Sequence, residues 1–208
     1  MRSLGARLDT CLSLINGERC ITDVGTDHGR LPVYALKQGR TARAVAVDIS
    51  EKSLRKATLL AEKEGVTITA VVCDGLTAVK QEDAPLVIIA GMGGREIVKI
   101  IEEAPFPLER AIFVPHTHAA VLRAYLRDRD VRIERDITVR EGDHYYPVLL
   151  VDFRLPWRET DNIYVGGEGE ARVAYIEMRL GKIEEYLTYT DDPALKEEKE
   201  ILQSVYRS

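Results

Sequence analysis

The feature that most constrains the fold of this chain is a regular alternation of short apolar runs with helix-forming segments. Five runs rich in Val, Ile and Ala have the length of buried strands, and helical spacing follows most of them. Near-continuous apolar strands joined by helices are typical of a parallel sheet covered on both faces. The sequence therefore predicts an α/β fold, with strands at 18–23, 43–48, 67–73, 85–90 and 110–115 and helices at 31–38, 51–64, 95–103 and 118–127.

Further elements are predicted at the start of the chain and after the fifth strand. Leu4, Leu8, Leu12 and Ile15 follow helical spacing and predict a helix before the first strand. Two strand-like runs at 131–139 and 146–153 are separated only by 140–145, which favours an antiparallel hairpin that completes the sheet. Ser50, directly before the helix at 51–64, is predicted to cap that helix.

The last quarter of the chain differs in character from the rest. Gly166, Gly167 and Gly169 indicate a linker at 156–169. Asp192 as N-cap, with Pro193 at the first helical position, predicts the start of a final helix. The apolar residues of two helices are expected to pack together, namely Val173, Ile176, Leu180, Ile183 and Leu187 with Leu195, Leu202 and Val205. We therefore expect a sheet domain at 1–155, a linker at 156–169 and a helical hairpin at 170–208.

Composition narrows the class of protein. The 208 residues are 45% hydrophobic and 30% charged, as in an ordinary globular protein. No run approaches the roughly 18 apolar residues that a membrane helix needs, and the first residues do not resemble a signal peptide. Three isolated cysteines fit neither zinc spacing nor a disulfide framework. We expect a cytoplasmic protein that binds no metal and does not associate with a membrane. The net charge of −5 argues against indiscriminate polyanion binding but does not exclude a local basic face.

Acidic residues and glycines cluster where the predicted strands end. In an open α/β sheet, ligands bind outside the carboxyl ends of the strands. The first strand leads into Asp23-Val-Gly-Thr-Asp-His-Gly29, the second ends in Asp48, the third in Asp74-Gly75 and the fourth in Gly91-Met92-Gly93-Gly94. A single aspartate at a strand end is more often a helix cap or a solvated turn. Three aspartates at neighbouring strand ends, each one strand–helix unit apart, instead indicate a ligand site.

This arrangement suits S-adenosyl-L-methionine better than a dinucleotide. A pyrophosphate requires G-x-G-x-x-G at a helix N-terminus, whereas Asp27 would repel phosphate here. S-adenosyl-L-methionine has no phosphate; its ammonium is expected near Asp23 and Gly25, its ribose hydroxyls on Asp48 and its adenine amine on Asp74. The predicted cofactor-binding residues are Asp23, Gly25, Asp48, Ile49, Asp74, Gly75, Gly91 and Met92.

Two motifs carry a resemblance to a known family. Asp-Val-Gly-Thr-Asp-His at 23–28 with Leu31-Pro32, and Ile-Ala-Gly-Met-Gly-Gly at 89–94, resemble the bacterial tRNA adenine-N1 methyltransferases that modify adenine 22. The resemblance spans roughly residues 4–150 and implies a class I methyltransferase (Rossmann-like) fold with a C-terminal helical domain. The chain departs from the family at Val114-Pro115-His116, where members have Gln-Pro-Asn, and this change bears on the target-base pocket.

The fourth strand end also bears on the chemistry of transfer. Enzymes that methylate an exocyclic amine commonly carry Asn/Asp-Pro-Pro-Tyr/Phe there, whereas this chain has Gly-Met-Gly-Gly, which favours a ring nitrogen or a substrate that is not a base. Adenine N1 already carries a lone pair, so positioning and stabilisation of the developing charge matter more than a strong base. Asp27 is the predicted catalytic residue for that stabilisation.

Residues that contact RNA are predicted less specifically. A paired or stacked target base must be extruded into the pocket, where Tyr146 and His118 are candidate partners. Other candidates for RNA contact are Arg7, His28, Arg30 and His116, together with Arg2. Arg123, Arg127, Arg129 and Arg132 could also bind phosphate, although they alternate with acidic residues in the manner of a solvated mixed-charge face.

Three other functions compete with a tRNA methyltransferase. The net negative charge favours a small-molecule methyltransferase on the same fold, because a fold does not fix the substrate. A protein that binds S-adenosyl-L-methionine or RNA without catalysis is the second, and a dinucleotide oxidoreductase ranks third because its phosphate-binding turn is missing.

Overall fold

The computed structural model describes residues 3–159 and 161–207, and its central element is a seven-stranded sheet with the order β3-β2-β1-β4-β5-β7-β6. The strands are β1 (Ile21–Val24), β2 (Ala44–Asp48), β3 (Thr69–Val72), β4 (Leu86–Ala90), β5 (Arg110–Val114), β6 (Arg132–Glu141) and β7 (His144–Asp152). The pairs among β1 to β5 are parallel, whereas β7 lies antiparallel between β5 and β6. The predicted α/β fold, with its antiparallel final hairpin, is confirmed.

Seven α-helices accompany the sheet in the described part of the chain. They are α1 (Ala6–Leu14), α2 (Arg30–Lys37), α3 (Glu51–Glu64), α4 (Gly94–Glu102), α5 (Ala119–Asp128), α6 (Arg172–Leu187) and α7 (Pro193–Tyr206). Both predicted caps are confirmed: the Ser50 hydroxyl accepts a hydrogen bond from Ser53 N at 3.3 Å, and the Asp192 carboxylate accepts one from Ala194 N at 2.8 Å. Each cap satisfies a backbone donor that has no partner inside its helix.

Strand β4 shows how the two faces of the sheet are covered. Leu86 and Ile88 are fully buried in a cluster that contains residues of α1 and α2. Val87 and Ile89 point to the other face and are buried with residues of α4 and α5. Alternate residues of a strand face opposite sides of the sheet, so a continuous apolar strand requires a helical layer on each side.

Three predicted strand positions are wrong. Strand β1 covers Ile21–Val24 instead of 18–23. The connection predicted at 140–145 is shorter, because Arg140 pairs with Tyr145 and Glu141 with His144, which leaves only Gly142 and Asp143 between the strands. Strand β3 begins later than predicted and ends before Cys73, and it pairs with β2 at the edge of the sheet.

The C-terminal helices form a separate apolar cluster. Ile176, Ile183 and Leu202 are fully buried between α6 and α7, as predicted. The prediction for Val173 is wrong: it is 49% exposed, and Tyr175 joins the cluster at that end of α6.

The predicted linker is attached to the sheet. Thr138 N donates to Glu168 O at 2.9 Å, and Glu168 N donates to Asp136 O at 3.2 Å, so this segment pairs with β6. Val165, within the same segment, is 2% exposed. The glycines at 166 and 169 allow this approach, since a Cβ at either position would collide with the backbone of β6.

Two features are absent from residues 3–159 and 161–207. Among these residues, no helix has both the length and the apolar composition needed to cross a membrane. Within the same ranges, no cluster of three His, Cys, Asp or Glu side chains is arranged to hold a metal ion.

Candidate functional site

The turn between β1 and α2 is held against β2 by its own backbone. Gly25 N and Thr26 N both donate to Val47 O, at 2.8 and 3.0 Å. Three residues of the turn have positive φ: Gly25 at 72°, Asp27 at 47° and Gly29 at 66°. Glycine is required at 29 for a second reason, since a Cβ there would lie 2.4 Å from the Cβ of Ala57 in α3.

Asp23 is buried under this turn and contacts it through its carboxylate. Its side chain is 5% exposed, and its carboxylate accepts a hydrogen bond from the Thr26 hydroxyl at 2.6 Å. Burial, with a smaller contribution from the nearby charge of Asp48, raises the pKa of Asp23 to about 7, although the Thr26 hydrogen bond lowers it. Asp23 does not line the cavity at the carboxyl ends of the strands. Its observed role is therefore its contact with the turn.

Asp48 is fixed at the end of β2 by two backbone donors. Its Oδ1 accepts from Ser50 N at 2.8 Å, and its Oδ2 accepts from Asp27 N at 3.2 Å. The next residue, Ile49, is 74% exposed. A rigid carboxylate with unused lone pairs therefore stands beside an exposed aliphatic surface, a combination suited to a sugar and an attached base.

A cavity of ≈ 310 Å³ opens at the carboxyl ends of β1 to β4. Six of the eight predicted cofactor residues line it: Gly25, Asp48, Ile49, Asp74, Gly75 and Met92. Asp23 and Gly91 are the two that do not. Glu96 and Lys99 of α4 and Glu103 directly after it, which sequence reasoning missed, complete the opposite wall.

The shape of this cavity depends on Gly25 and Met92. A Cβ at position 25 would lie 2.4 Å from Met92 Cε, so the absence of a side chain at Gly25 is what admits the methionine. Four of the five charged residues in the lining are carboxylates, and the fifth, Lys99, is paired with Glu103 at 3.8 Å. These carboxylates fit a cationic nucleoside without phosphate, because Asp48 and Asp74 would repel a pyrophosphate.

A second group of predicted residues meets around Arg7. Its Nε and Nη2 donate to Glu141 Oε1 at 3.0 and 2.9 Å, and its guanidinium lies 4.5 Å from the centre of the Tyr146 ring. The same guanidinium contacts His116 Nε2, and the His116 and Tyr146 rings are 5.1 Å apart. Helix α1, the loop after β5 and the β6–β7 hairpin therefore converge on one charged and aromatic cluster.

This cluster shifts the ionisation of its members. Burial lowers the pKa of His116, and the charge of Arg7 lowers it further, so the neutral imidazole is favoured. Burial alone would raise the pKa of Glu141, but the hydrogen bonds and charge of Arg7 outweigh it and lower that pKa. The cluster thus holds a carboxylate, a guanidinium and a neutral imidazole at neutral pH.

A smaller cavity of ≈ 200 Å³ lies beside this cluster, and we call it the aromatic cavity. Its lining includes His116, His118, Tyr145, Tyr146 and Tyr175. One hydrogen bond joins it to the first cavity: His116 N donates to Met92 O at 2.9 Å.

The turns after β4 and β5 are packed together beside the aromatic cavity. Gly94 N donates to Thr117 O at 2.8 Å, and a Cβ at position 94 would lie 2.2 Å from His118 O. Two strand ends therefore position the two cavities as neighbours.

Asp27, His28 and Arg30 lie outside both cavities. The Asp27 side chain is 63% exposed, with Oδ2 at 3.3 Å from His28 Nε2 and Oδ1 at 3.9 Å from Lys56 Nζ. Arg30 donates to Leu4 O at 3.0 Å and is exposed. Arg2 lies outside the described residues.

Arg123 does not lie on the solvated mixed-charge face that the sequence favours for it, so that prediction is wrong for this residue. It is 2% exposed, and its guanidinium is paired with the Asp136 carboxylate at 2.7 Å. It also donates to the carbonyls of Ile163 and Tyr164, at 3.5 and 3.4 Å, and so anchors the segment before α6. A buried charge needs such partners, and Arg123 also lies in the wall of the aromatic cavity.

The other arginines of this group lie on a mixed-charge surface, as the sequence suggested. Arg127 is paired with Asp128 and Arg129 with Glu102, both at 2.9 Å. Arg132 donates to Pro156 O at 2.9 Å.

Comparison with known proteins agrees with this geometry. The family described as "Methyltransferase domain" matches residues 4–149. The tRNA (adenine(22)-N(1))-methyltransferase of Bacillus subtilis (strain 168) is 31% identical over 154 residues, which cover 72% of this chain and 65% of that protein. The chain thus spans just under two thirds of the length of this curated relative.

Two solved structures share the fold over nearly the whole chain. Streptococcus pneumoniae Sp1610 in complex with S-adenosyl-L-methionine has a TM-score of 0.85 at 24% identity, covering 99% of this chain and 100% of that chain. M. capricolum TrmK in complex with S-adenosyl-homocysteine has a TM-score of 0.82 at 24% identity, covering 99% of this chain and 97% of that chain. Because the family match extends over all seven strands except the last residues of β7, this chain belongs to the methyltransferase-domain family.

Proposed function

We propose that this protein is an S-adenosyl-L-methionine-dependent tRNA methyltransferase that modifies N1 of an adenine, at position 22. The observation that carries this proposal is the junction of the two cavities through His116 N and Met92 O, 2.9 Å apart. A cofactor cavity and an acceptor cavity must be neighbours for direct methyl transfer. The similarity to the Bacillus subtilis tRNA methyltransferase supports the choice of acceptor.

The residues of the larger cavity fit the proposed cofactor. Asp48 is positioned to accept hydrogen bonds from a ribose diol, because both of its oxygens are already oriented by backbone N–H groups. Ile49 offers an exposed aliphatic surface to an adenine ring, and Asp74 offers an acceptor to its amine. When bound, S-adenosyl-L-methionine supplies a methyl group on a positively charged sulfur.

The aromatic cavity is the proposed site of the target base. A base extruded from RNA is commonly held by stacking and by hydrogen bonds to its edge. Tyr146 offers a ring face that Arg7 holds in place, and the neutral His116 offers a polar edge. His118, whose Nδ1 lies 3.0 Å from the Thr117 hydroxyl, lines the same cavity.

Asp27 is the proposed catalytic residue. Positive charge develops on the adenine ring during transfer, and a nearby carboxylate stabilises that charge. The backbone N–H of Asp27 is bound to Asp48, which fixes the residue beside the cofactor cavity, while its side chain is exposed and lies near His28 and Lys56.

The test is incubation with S-adenosyl-L-methionine and unmodified tRNA, followed by mass spectrometry of the nucleosides. We expect 1-methyladenosine with the wild type, and roughly a hundredfold or greater loss of turnover with Asp27→Asn at unchanged cofactor affinity by calorimetry. Asparagine tolerates the positive φ at this position. Asp130→Asn is a matched control. Asp130 also has a positive φ, 55°, and it follows the C-terminus of α5, so it should tolerate the change.

Two results would contradict these assignments. Normal turnover of Asp27→Asn would remove the catalytic role of that residue. Absence of methylated adenosine with the wild type would refute the proposed function.

A small-molecule methyltransferase is the second candidate. The aromatic cavity, at ≈ 200 Å³, suits a small planar acceptor as well as an extruded base. Labelled methyl transfer into a metabolite extract, but not into bulk unmodified tRNA, would favour this alternative.

The proposed function also implies a cytoplasmic location, where tRNA is modified in bacteria. The three free cysteines agree with a reducing compartment.

A further inference from the structure

Four cations are arranged as two pairs on neighbouring helices. Arg30 and Lys37 are seven residues apart on α2, and Lys56 and Lys63 are seven apart on α3. Seven residues are two helical turns, so each pair lies on one face of its helix with about 10 Å between its members. All four side chains line one cavity of ≈ 1030 Å³ between the two helices, which we call the basic groove.

The charge of this groove contrasts with that of the whole protein. Glu64 is the carboxylate in its lining, and it is paired with Lys37. With histidine neutral, the groove carries a charge of +3, whereas the chain carries −5 overall and the remainder therefore −8. Lys37 and Lys56 have side chains that are 49% and 42% exposed, so the charge is accessible to a partner.

One end of the groove lies at Asp27. Lys56 Nζ is 3.9 Å from Asp27 Oδ1, and His28, which also lines the groove, is 3.3 Å from Asp27 Oδ2. The groove then extends along α2 and α3, away from the turn, to Lys37 and Lys63. A partner bound in the groove would therefore have its near end at the proposed catalytic carboxylate.

We infer that the basic groove binds the ribose-phosphate backbone of the tRNA substrate next to the target adenine. This inference rests on the proposed function. Cations repeated along a groove match a chain of phosphates, and such contacts position a nucleic acid without reading its sequence. Lys37 and Lys63 mark the end that is remote from methyl transfer, so they contribute to binding and not to the chemical step.

The test compares tRNA binding by the wild type and by the double variant Lys37→Gln/Lys63→Gln. The probe is an unmodified tRNA transcript, titrated by filter binding at several salt concentrations from roughly 50 to 200 mM. We expect roughly tenfold weaker binding at the lowest salt and a salt dependence reduced by about two phosphate contacts. Affinity for S-adenosyl-L-methionine, measured by calorimetry, should stay unchanged.

Two further variants serve as controls. Arg19→Gln/Lys80→Gln removes two exposed cations near the amino ends of the strands and should leave the salt dependence intact. Lys37→Arg/Lys63→Arg keeps the charge and should restore binding, which separates lost charge from lost structure.

The outcomes distinguish this inference from the proposed function. If the wild type methylates tRNA and Lys37→Gln/Lys63→Gln binds it with an unchanged salt slope, the groove assignment is overturned and the function stands. If the wild type neither methylates tRNA nor binds it in a salt-dependent manner, both fail together.

Discussion

Replacing Asp23 with asparagine should remove a pH dependence from the stability of the fold. The folded pKa of Asp23 is about 7, compared with an ordinary value of 3.8. The folded state therefore holds a proton that the unfolded state has released, and stability falls as pH rises between these two values. Asparagine does not titrate, and its side-chain oxygen can still accept the hydrogen bond from the Thr26 hydroxyl.

The magnitude follows from the difference in pKa. About three pKa units at 1.36 kcal/mol each correspond to about 4 kcal/mol over the whole range. From about pH 5 to about pH 8, most of that difference is crossed, so the wild type should lose about 3 kcal/mol relative to Asp23→Asn. The buried amide hydrogens of the asparagine add a cost of about 1–3 kcal/mol, but this cost does not depend on pH.

The assay is chemical denaturation of the wild type and of Asp23→Asn at a series of pH values. The difference between their free energies of unfolding is followed with pH, so that the contributions of other titrating groups cancel. Asp152→Asn is the control. Asp152 is also 5% exposed, but hydrogen bonds from Arg154 lower its pKa. Its stabilising contribution is lost only in acid, so the control should shift the whole curve between about pH 5 and about pH 8 without changing its slope. Parallel curves for the wild type and Asp23→Asn would refute a raised pKa for Asp23.

Two further substitutions test the packing of the site and of its support. Gly25→Ala should weaken cofactor binding in calorimetry, because its Cβ would displace the end of the Met92 side chain, which lines the cofactor cavity. Gly39→Ala is the control, with φ of 64° and no atom within 4 Å of an added Cβ. Melting curves should show similar destabilisation of both variants, since both glycines have positive φ, and normal cofactor binding by Gly25→Ala would refute a role of this packing in binding. Arg123→Met should destabilise the fold by about 3–5 kcal/mol in urea denaturation, because it leaves the Asp136 carboxylate without its buried partner. A loss below about 1 kcal/mol would show that water or another cation replaces the arginine.

The cofactor cavity could be predicted from the sequence because its determinants are local. Each lining residue near β1, β2 or β3 is the last residue of its strand or lies within three residues after it. Parallel strands bring their carboxyl ends to one edge. Asp23 shows the limit of this reasoning: its position at a strand end was correct, but only the packed structure shows that its side chain is buried under the turn.

The cluster around Arg7 could not be predicted in the same way. Arg7 and Glu141 are 134 positions apart, and their contact depends on how α1 packs against the β6–β7 hairpin. The burial of Arg123 similarly depends on the segment before α6, whose glycine content alone indicated a linker. Neither contact has a local signal, because charged residues at these spacings are most often exposed.

The β1–α2 turn separates two regions of opposite charge. On the cofactor side, Asp48 and Asp74 face the cavity, and on the other side the basic groove carries +3. The carboxylates disfavour entry of a phosphate into the cofactor cavity, and the lysines disfavour binding of the cationic cofactor in the groove. Asp27 stands between the two regions, with its N–H bound to Asp48 and its carboxylate near Lys56. In the proposed function, a polyanionic substrate and a cationic cofactor thus occupy adjacent sites without competing for them, and Asp27 stands at the boundary between those two sites.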